Sequence, residues 1–272
     1  MIVAERLKAA TYVSGGGGIV EDAFDFSTAN TTAIDSFNYA SALAQSSNSN
    51  DKFSMSYDGT KMFVVLNNNN TMYGFDLSTA WDISTASYSG ENFNVGSRTQ
   101  GAWKPDGTSF FYTQNDGNIY QRNASTPWDC STFGSSITQS QSVSNLRGFG
   151  ISTDGTKGIV FSNSTNLIYE VDFSTAWDVT TATVDTGGNT ISETGNPDEG
   201  LNTSIDGLMV YMHEGTTISQ YALATAWDLS SATETDTTYS SADGRCCWSS
   251  TDGVYGYALD SNSNGIIRQF SQ

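Results

Sequence analysis

The chain has 272 residues, 37% of them hydrophobic, which is enough to bury the core of one large domain. Its 29 acidic residues outnumber 11 basic ones, and the formal net charge of -18 opposes binding to a nucleic acid. No apolar run approaches the roughly 20 residues that a membrane-spanning helix needs, so we expect neither nucleic acid nor membrane as a partner.

The first 18 residues lie outside the pattern that organises the rest of the chain and end in a run of four glycines. Glycine runs are flexible, and the stretch Ala4–Ala10 favours a short helix, with disorder as the alternative. Charges interrupt the only apolar stretch, so the segment does not resemble a signal peptide. We predict that residues 1–18 are a flexible or short-helical anchor to a larger assembly. The predicted contact residues of this anchor are Ala4, Leu7 and Tyr12.

Two dipeptides recur along the rest of the chain at nearly constant spacing, which is the signature of a repeat fold. Asp-Gly pairs are separated by 48, 48, 52 and 46 residues, and Trp-Asp pairs by 47, 49 and 50. The aspartates of the five Asp-Gly pairs that keep this spacing are Asp58, Asp106, Asp154, Asp206 and Asp252. The tryptophans of the Trp-Asp pairs are Trp81, Trp128, Trp177 and Trp227. The Asp-Gly pairs therefore define five units.

Each unit carries signals for four short strands. In the first unit, the run Phe53–Ser56, the turn Tyr57–Thr60 and the apolar run Met62–Leu66 are typical of a β-hairpin, because Asp and Gly adopt turn conformations that β-branched residues resist. A third strand at Met72–Asp76 follows. The Trp-Asp segments then lead into an outer strand that begins near Ser84, Ser131, Thr180 and Ser230. Four antiparallel strands in a repeat of about 45 to 50 residues predict a β-propeller blade.

The last unit stops shortly after its third strand, before it reaches an outer strand of its own. The segment Phe26–Asp35 parallels Leu77–Ala86 of the first unit. We therefore predict an all-β, five-bladed propeller at residues 19–272, in which residues 33–42 supply the outer strand of the fifth blade and close the ring. Closure also removes an exposed sheet edge. The preceding Phe24–Phe26 resembles the end of a third strand, and we interpret it as a repeat remnant or an extra contact.

The pattern at Phe53–Val64, followed by Tyr73–Tyr88 with its Asp-Leu-Ser-Thr-Ala-Trp-Asp-Ile-Ser-Thr-Ala motif, resembles the tandem propeller repeats of phage structural proteins and bacterial surface proteins. Weaker copies occur at 149–183 and 201–233. The resemblance covers residues 24–272 and implies the propeller fold. Because such repeats serve as scaffolds and recognition surfaces, it implies no particular activity.

Two better-known propeller signatures are not matched. In WD40 repeats the Trp-Asp pair closes the third strand, a place that Phe75 and Asp76 occupy here, and the Gly-His partner is missing because His213 is the only histidine. The sialidase Asp-box separates its Asp and Gly and ends in Trp, whereas here the two residues are adjacent and no Trp follows.

The numbers of histidines and cysteines limit the kinds of catalytic and metal site that the chain can form. The lone His213 excludes a histidine-dependent triad and a multi-histidine metal site, and its neighbours Glu-Gly-Thr predict a solvated turn residue. The three cysteines, Cys130, Cys246 and Cys247, lack CxxC spacing, so neither a disulfide framework nor a zinc site is indicated. We expect no cofactor and no enzymatic activity.

A pair of carboxylates is harder to exclude, because glycosidases need only two acids at a suitable separation. Most acids fall at the Asp-Gly and Trp-Asp turns, where a carboxylate accepts backbone N–H bonds, so we interpret these nine aspartates as structural. The acids outside the repeat that remain as catalytic candidates are Glu193, Asp198, Glu199 and Glu214. Acidic and Asn-rich turns at Asn67–Asn70, Asn115–Asn118 and Asp260–Asn264 lack the spacing of a calcium loop, so we expect weak calcium binding or none.

The four repeated tryptophans are expected to pack before each outer strand, because they recur at one blade position. Trp103 and Trp248 break that pattern and occupy first-strand positions that hold small or aliphatic residues in other units. We predict that either residue fills the wider centre of the ring or faces a ligand.

These observations favour a non-enzymatic structural or recognition protein of a phage or virus particle, exposed on the particle as a decoration, tail or fibre-associated protein. Assembly in the host cytoplasm agrees with the absence of a signal-peptide pattern. The expected partners are other virion proteins, through residues 1–18, and a host-surface glycan. One alternative is a carbohydrate-binding or glycan-cleaving propeller, with aromatics and acids clustered at one end of the channel. Another is a bacterial surface module.

Overall fold

The computed structural model describes residues 23–27, 29, 32–48, 50–97, 99–188, 190–192, 200–214, 217–235, 246–260 and 265–271. The first elements are β1 (Asp35–Asn38) and one turn of helix, α1 (Tyr39–Leu43). The first blade comprises β2 (Lys52–Met55), β3 (Lys61–Leu66), β4 (Thr71–Leu77) and β5 (Ala86–Asn94). The second comprises β6 (Gln100–Trp103), β7 (Ser109–Thr113), β8 (Asn118–Asn123) and β9 (Ile137–Ser140).

The third blade comprises β10 (Leu146–Ile151), β11 (Lys157–Ser162) and β12 (Leu167–Phe173), and its outer edge is divided between β13 (Ala182–Val184) and β14 (Thr190–Ser192). The fourth comprises β15 (Gly200–Thr203), β16 (Met209–Glu214), β17 (Thr217–Leu223) and β18 (Ala232–Thr235). The fifth comprises β19 (Cys247–Ser249), β20 (Tyr255–Asp260) and β21 (Ile266–Ser271), together with β1.

The five antiparallel sheets form a closed ring. The innermost strands β2, β6, β10, β15 and β19 contact one another in cyclic order, and the last contacts the first. The apolar core lies between neighbouring blades, as where Phe63 of the first blade and Trp103 of the second place their rings 4.7 Å apart. The prediction of a five-bladed β-propeller is therefore confirmed.

Each tryptophan of a Trp-Asp pair packs on the Asp-Gly glycine of its own blade. The backbone N–H of Trp81 donates to the carbonyl oxygen of Gly59 at 2.9 Å, and its indole occupies the space that a Cβ on Gly59 would need. Trp81 itself has a φ of 68°, in the left-handed region that bulky residues rarely adopt. The same contact joins Gly107 to Trp128, Gly155 to Trp177 and Gly207 to Trp227. The Asp-Gly and Trp-Asp motifs recur at matching intervals because the glycine of one packs against the tryptophan of the other.

The predicted starts of the outer strands are a few residues too early. After each Trp-Asp pair the aspartate caps a short 3-10 turn, as when Asp82 Oδ1 accepts from the Ser84 N–H at 3.0 Å, and the strand begins only after that turn. The four 3-10 turns are Ile83–Thr85, Cys130–Thr132, Val179–Thr181 and Leu229–Ser231.

Strand β1 completes the fifth blade from the other end of the described chain. It pairs antiparallel with β21, placing Phe37 opposite Ile267. The Phe37 ring also lies edge-on to Phe75 of the first blade, with centroids 5.3 Å apart. The predicted closing strand is thus confirmed, and it fastens the fifth blade to the first.

The closing strand is shorter than the predicted 33–42. Helix α1 begins at Tyr39 because the side chain of Asn38 accepts a hydrogen bond from the Ser41 N–H at 2.8 Å and caps the first turn. The Tyr39 hydroxyl then donates to Asp51 Oδ2 at 3.0 Å, which ties the helix to the chain entering the first blade.

Phe24 and Phe26 fill the junction between the fourth and fifth blades and do not form a strand. Both side chains are buried, and a Cβ on Gly256 of β20 would collide with the Phe24 ring. The hydroxyl of Tyr211 in β16 donates to the Phe24 carbonyl oxygen at 2.7 Å. Of the two interpretations of this segment, the structure therefore supports the extra contact.

A polar side chain on the third strand joins neighbouring blades. Gln121 Oε1 accepts from the backbone N–H of Val179 at 3.1 Å, and Glu170 Oε1 accepts from that of Leu229 at 2.7 Å. Each bond satisfies a backbone donor at the 3-10 turn of the next blade, where an unpaired buried N–H would be costly.

The same type of bond continues round the ring to the closure. Gln269 Oε1 accepts from the Ile83 N–H at 3.1 Å, which links the fifth blade to the first. Gln220 Oε1 accepts from the Phe26 N–H at 2.7 Å, so the Phe24–Phe26 segment takes the place of a 3-10 turn at this junction.

The first blade carries glycine at the corresponding position. A Cβ on Gly74 would lie 2.6 Å from Glu91 Oε2 of the outer strand. The other carboxylate oxygen of Glu91 pairs with Lys61 Nζ at 2.6 Å. Because Gly74 has no side chain, the carboxylate of Glu91 from β5 occupies the place that a glutamine or glutamate side chain of the third strand occupies in the other blades.

Candidate functional site

The innermost strands end at a small cavity on the face of the ring that carries the Asp-Gly turns. Residues from all five blades line it, and its volume is about 50 Å³. A water molecule needs roughly 10 to 15 Å³ of such space, so the cavity has room for a small chemical group rather than a whole sugar ring. We call it the axial cavity. Among its lining residues are Met55, Tyr57, Trp103, Phe149, Asn202 and Trp248.

Trp248 occupies an inner-strand position at which the other four blades carry smaller side chains. By strand register its counterparts are Ser54, Ala102, Gly150 and Asn202. Trp248 is partly exposed and packs against the core of the fifth and first blades. The structure thus places an indole in the lining of the axial cavity, at a position where the other four blades carry smaller side chains.

Trp103 is 3% exposed and lies in an aromatic cluster between the first two blades. Its ring stacks on Phe133 with centroids 5.3 Å apart and lies 5.4 Å from Trp128. One part of the residue nevertheless lines the axial cavity. Its indole Nε1 is buried and has no hydrogen-bond partner in the described part of the chain, which is unusual for a tryptophan.

Tyr57 is a site residue that the sequence reasoning did not single out. It stands directly before Asp58 in the first Asp-Gly turn and lines the axial cavity. Its hydroxyl is buried without a hydrogen-bond partner among the described residues. Burial raises the pKa of the Tyr57 phenol, so the group remains protonated and able to donate.

The Asp-Gly aspartates surround this face but are engaged in their own turns. Asp58 Oδ1 accepts from the Ser56 hydroxyl at 2.7 Å and from the Thr60 N–H at 3.0 Å. Burial acts to raise the pKa of Asp58, but the hydrogen bonds from Ser56 and Thr60 outweigh it and lower the pKa. Equivalent turn bonds are made by Asp106, Asp154, Asp206 and Asp252.

The Trp-Asp aspartates are held in the same way. Each accepts from the backbone N–H and the side-chain hydroxyl of the residue two positions later. These aspartates are Asp82, Asp129, Asp178 and Asp228. None of the nine repeated aspartates lines the axial cavity.

Further into the channel, the Gln100 side chain crosses between blades. Its Nε2 donates to the Leu201 carbonyl oxygen of the fourth blade at 2.8 Å, while its Oε1 is buried with no partner among the described residues. Two buried cations, Lys52 and Arg147, occupy the corresponding register positions of the first and third blades. This level of the channel is polar and is bridged by the Gln100 amide.

The prediction that His213 is a solvated turn residue is wrong. His213 is fully buried in β16, and its Nδ1 lies 2.9 Å from the Cys246 carbonyl oxygen. The strand continues through Glu214, which pairs with Thr217, so His213 belongs to the strand and not to the turn that the sequence suggested. The cross-strand partner of His213 is Gly200, which has no side chain to compete with the imidazole for space.

The three cysteines are buried free thiols. Burial raises the pKa of Cys130 to about 12 and that of Cys246 to about 11, and it raises the pKa of Cys247 well above its usual value. These groups are therefore thiols rather than nucleophilic thiolates at neutral pH.

Several predicted residues cannot be placed. The anchor residues Ala4, Leu7 and Tyr12 and the candidate acids Glu193, Asp198 and Glu199 lie outside the described residues. In the described part, no group of three or more His, Cys, Asp or Glu side chains is arranged to hold a metal ion. In the Asn-rich turn Asn67–Asn70, the side-chain oxygen of Asn68 accepts from Asn48 Nδ2 at 2.8 Å.

Comparisons with known proteins identify the fold and no family. No protein-family model matches the chain, and no curated protein matches its sequence. The Cps50 (Swd1) β-propeller domain from Myceliophteria thermophila aligns with 89% of this chain and 99% of its own, at 8% identity and a TM-score of 0.51. A functionally unknown protein from Desulfotomaculum acetoxidans DSM 771 aligns with 76% of this chain at 14% identity and a TM-score of 0.44, and this chain spans 61% of its length.

Helices of the described part are all too short or too polar to cross a membrane.

Proposed function

We propose that this protein is a non-enzymatic structural and recognition module of a phage or virus particle. In this proposal the propeller is exposed on the assembled particle as a decoration, tail or fibre-associated protein, and residues 1–18 attach it to other virion proteins during assembly in the host cytoplasm. The resemblance of residues 24–272 to repeats of phage structural proteins supports this setting.

The observation that carries the proposal is the use of the repeated acids. All nine aspartates of the Asp-Gly and Trp-Asp pairs accept hydrogen bonds within their own turns. The carboxylates that recur most regularly in the chain therefore serve the architecture of the ring. This favours a scaffold that presents surfaces over an enzyme built on the repeated acids.

Co-assembly with particles tests this proposal. Purified particles from the same source are incubated with the full chain and with a chain that lacks residues 1–18, and retention is measured after sedimentation. Retention of the full chain alone supports the anchor and the particle setting. Retention of both chains, or of neither, contradicts the proposed role of residues 1–18.

A second candidate function is carbohydrate binding without cleavage. It is favoured by the aromatic side chains Trp103, Trp248 and Tyr57 at the axial cavity, since aromatic rings recognise the apolar faces of sugars. The glycan-cleaving alternative needs a carboxylate pair, and the lining residues that the structure describes include none. A glycan array probed with the full chain tests the binding function, and an array without signal contradicts it.

A further inference from the structure

We infer that the axial cavity binds the acetamido group of a neutral N-acetylated sugar. The inference rests on the second candidate function, carbohydrate binding, and assigns to it a location, two donor groups and a ligand class.

The first step is the charge of the site. The protein as a whole is strongly acidic, with a formal net charge of -18, yet among the described residues no Asp, Glu, Lys, Arg or His side chain lines the cavity. Asp58 and Asp252 lie in turns that border it, but each carboxylate accepts from a hydroxyl and a backbone N–H of its own turn. An ionic ligand would find no countercharge in the lining, whereas a neutral ligand needs none.

The second step is the pair of donors without partners. Trp103 Nε1 and Tyr57 Oη are both buried, lack hydrogen-bond partners among the described residues, and belong to residues that line the cavity. An indole N–H can only donate, so the group that satisfies it must present an acceptor oxygen. Leaving a buried donor unpaired is costly, and a ligand carbonyl oxygen would remove that cost.

The third step is the size and apolar character of the cavity. Its volume of about 50 Å³ admits a substituent and excludes a pyranose ring. Met55 and Phe149 supply apolar lining. An acetamido group combines an acceptor oxygen with a methyl group, which matches two donors beside an apolar wall.

The fourth step is the indole of Trp248, which is one of the lining residues of the cavity. Trp248 is partly exposed at a position where the other blades carry small side chains. With the acetamido group in the cavity, the Trp248 indole offers the attached sugar ring an apolar surface for stacking.

The test is calorimetric titration of the full chain with N-acetylglucosamine and, separately, with glucose, which differ at the acetamido group. We expect N-acetylglucosamine to bind at least tenfold more tightly than glucose. Trp103→Phe and Tyr57→Phe each remove one donor and keep the ring, so each should weaken N-acetylglucosamine about fivefold. Matched controls are Trp128→Phe, in the same aromatic cluster but outside the cavity lining, and Tyr88→Phe on the outer strand of the first blade.

The outcomes separate the two levels of the proposal. Equal binding of the two sugars overturns the acetamido assignment and leaves carbohydrate binding standing. Binding that neither donor variant weakens overturns the location, provided thermal unfolding shows that both variants fold. Failure of both sugars to bind overturns the inference, and a positive glycan array would then retain the second candidate function at another site.

Discussion

The backbone N–H of Trp177 donates to the carbonyl oxygen of Gly155 at 3.1 Å, while the Trp177 indole fills the space that a side chain on residue 155 would need. Gly155 has a φ of +72° and Trp177 a φ of 63°. Two left-handed residues from different turns thus form one contact, and it recurs in four of the blades. Each turn holds the other in a conformation that neither is expected to keep alone.

Gly155→Ala is expected to lower the free energy of unfolding by about 2 to 5 kcal/mol. The left-handed φ costs an alanine roughly 1 to 2 kcal/mol, and overpacking against the indole adds roughly 1 to 3 kcal/mol. Urea denaturation measures the effect. Gly134→Ala is the control, because its Cβ would meet only the Asn123 carbonyl oxygen at 3.7 Å, and equal losses in the two variants would contradict the prediction.

Gln121→Ala is expected to destabilise the ring by about 1 to 3 kcal/mol, since it leaves the Val179 N–H buried without an acceptor. Chemical denaturation compares it with Gln45→Ala, which truncates an exposed glutamine of the same size. If the two variants unfold at the same denaturant concentration, the bond between blades contributes nothing measurable.

The Asp-Gly and Trp-Asp pairs predicted the blades well because the contact between the two pairs shapes four of the five blades. The bonds between blades were not predicted, although Gly74, Gln121, Glu170, Gln220 and Gln269 recur about 49 residues apart within otherwise apolar third strands. A polar residue at a constant place in a buried strand was the available signal. It could not be interpreted from sequence because its partner lies in the next blade.

Acid is expected to destabilise the protein through the turn aspartates. The Ser152 hydroxyl and the Thr156 N–H and hydroxyl lower the pKa of Asp154, so its stabilising contribution is present above the unfolded pKa of about 3.9 and is lost as the pH falls through the lower folded value. Asp154→Asn keeps an acceptor in the turn and cannot titrate. Urea unfolding across the acid range should therefore show a weaker pH dependence in this variant than in the unmodified chain, and parallel pH profiles would disprove the assignment.

All three thiols should resist alkylation in the folded protein. Cys130, Cys246 and Cys247 are buried, and burial raises the pKa of each. Mass spectrometry after maleimide treatment near neutral pH should find no adduct on the native chain and three on the unfolded chain. A rapid single adduct under native conditions would show that one of these strands opens.

The closing strand should be indispensable to the ring. A chain that starts at Ala23 retains β1 and the Phe24–Phe26 contact, and we expect it to unfold cooperatively. A chain that starts at Tyr39 loses both, which leaves the outer edge of β21 unpaired and the junction between the fourth and fifth blades open. Circular dichroism during heating distinguishes the two, and equal melting temperatures would contradict the role assigned to β1.

The candidate site was only partly predictable. Trp248 could be singled out because an indole at a position of small residues breaks the repeat, but Tyr57 stands in a turn that varies between units. That its hydroxyl is buried without a partner depends on how five blades converge on one axis. Convergence of that kind is a property of ring geometry, which no single repeat encodes.

The pairing of β1 with β21 also sets an order of events during synthesis. The two strands are separated by more than 200 residues, and a ribosome adds roughly 5 to 20 residues each second, so β1 emerges some 10 to 50 seconds before its partner exists. Throughout that interval the nascent chain is an open arc with a free sheet edge, a form prone to associate with other chains. We therefore expect the chain to be most prone to aggregation during synthesis, until β1 pairs with β21 and the free sheet edge is covered.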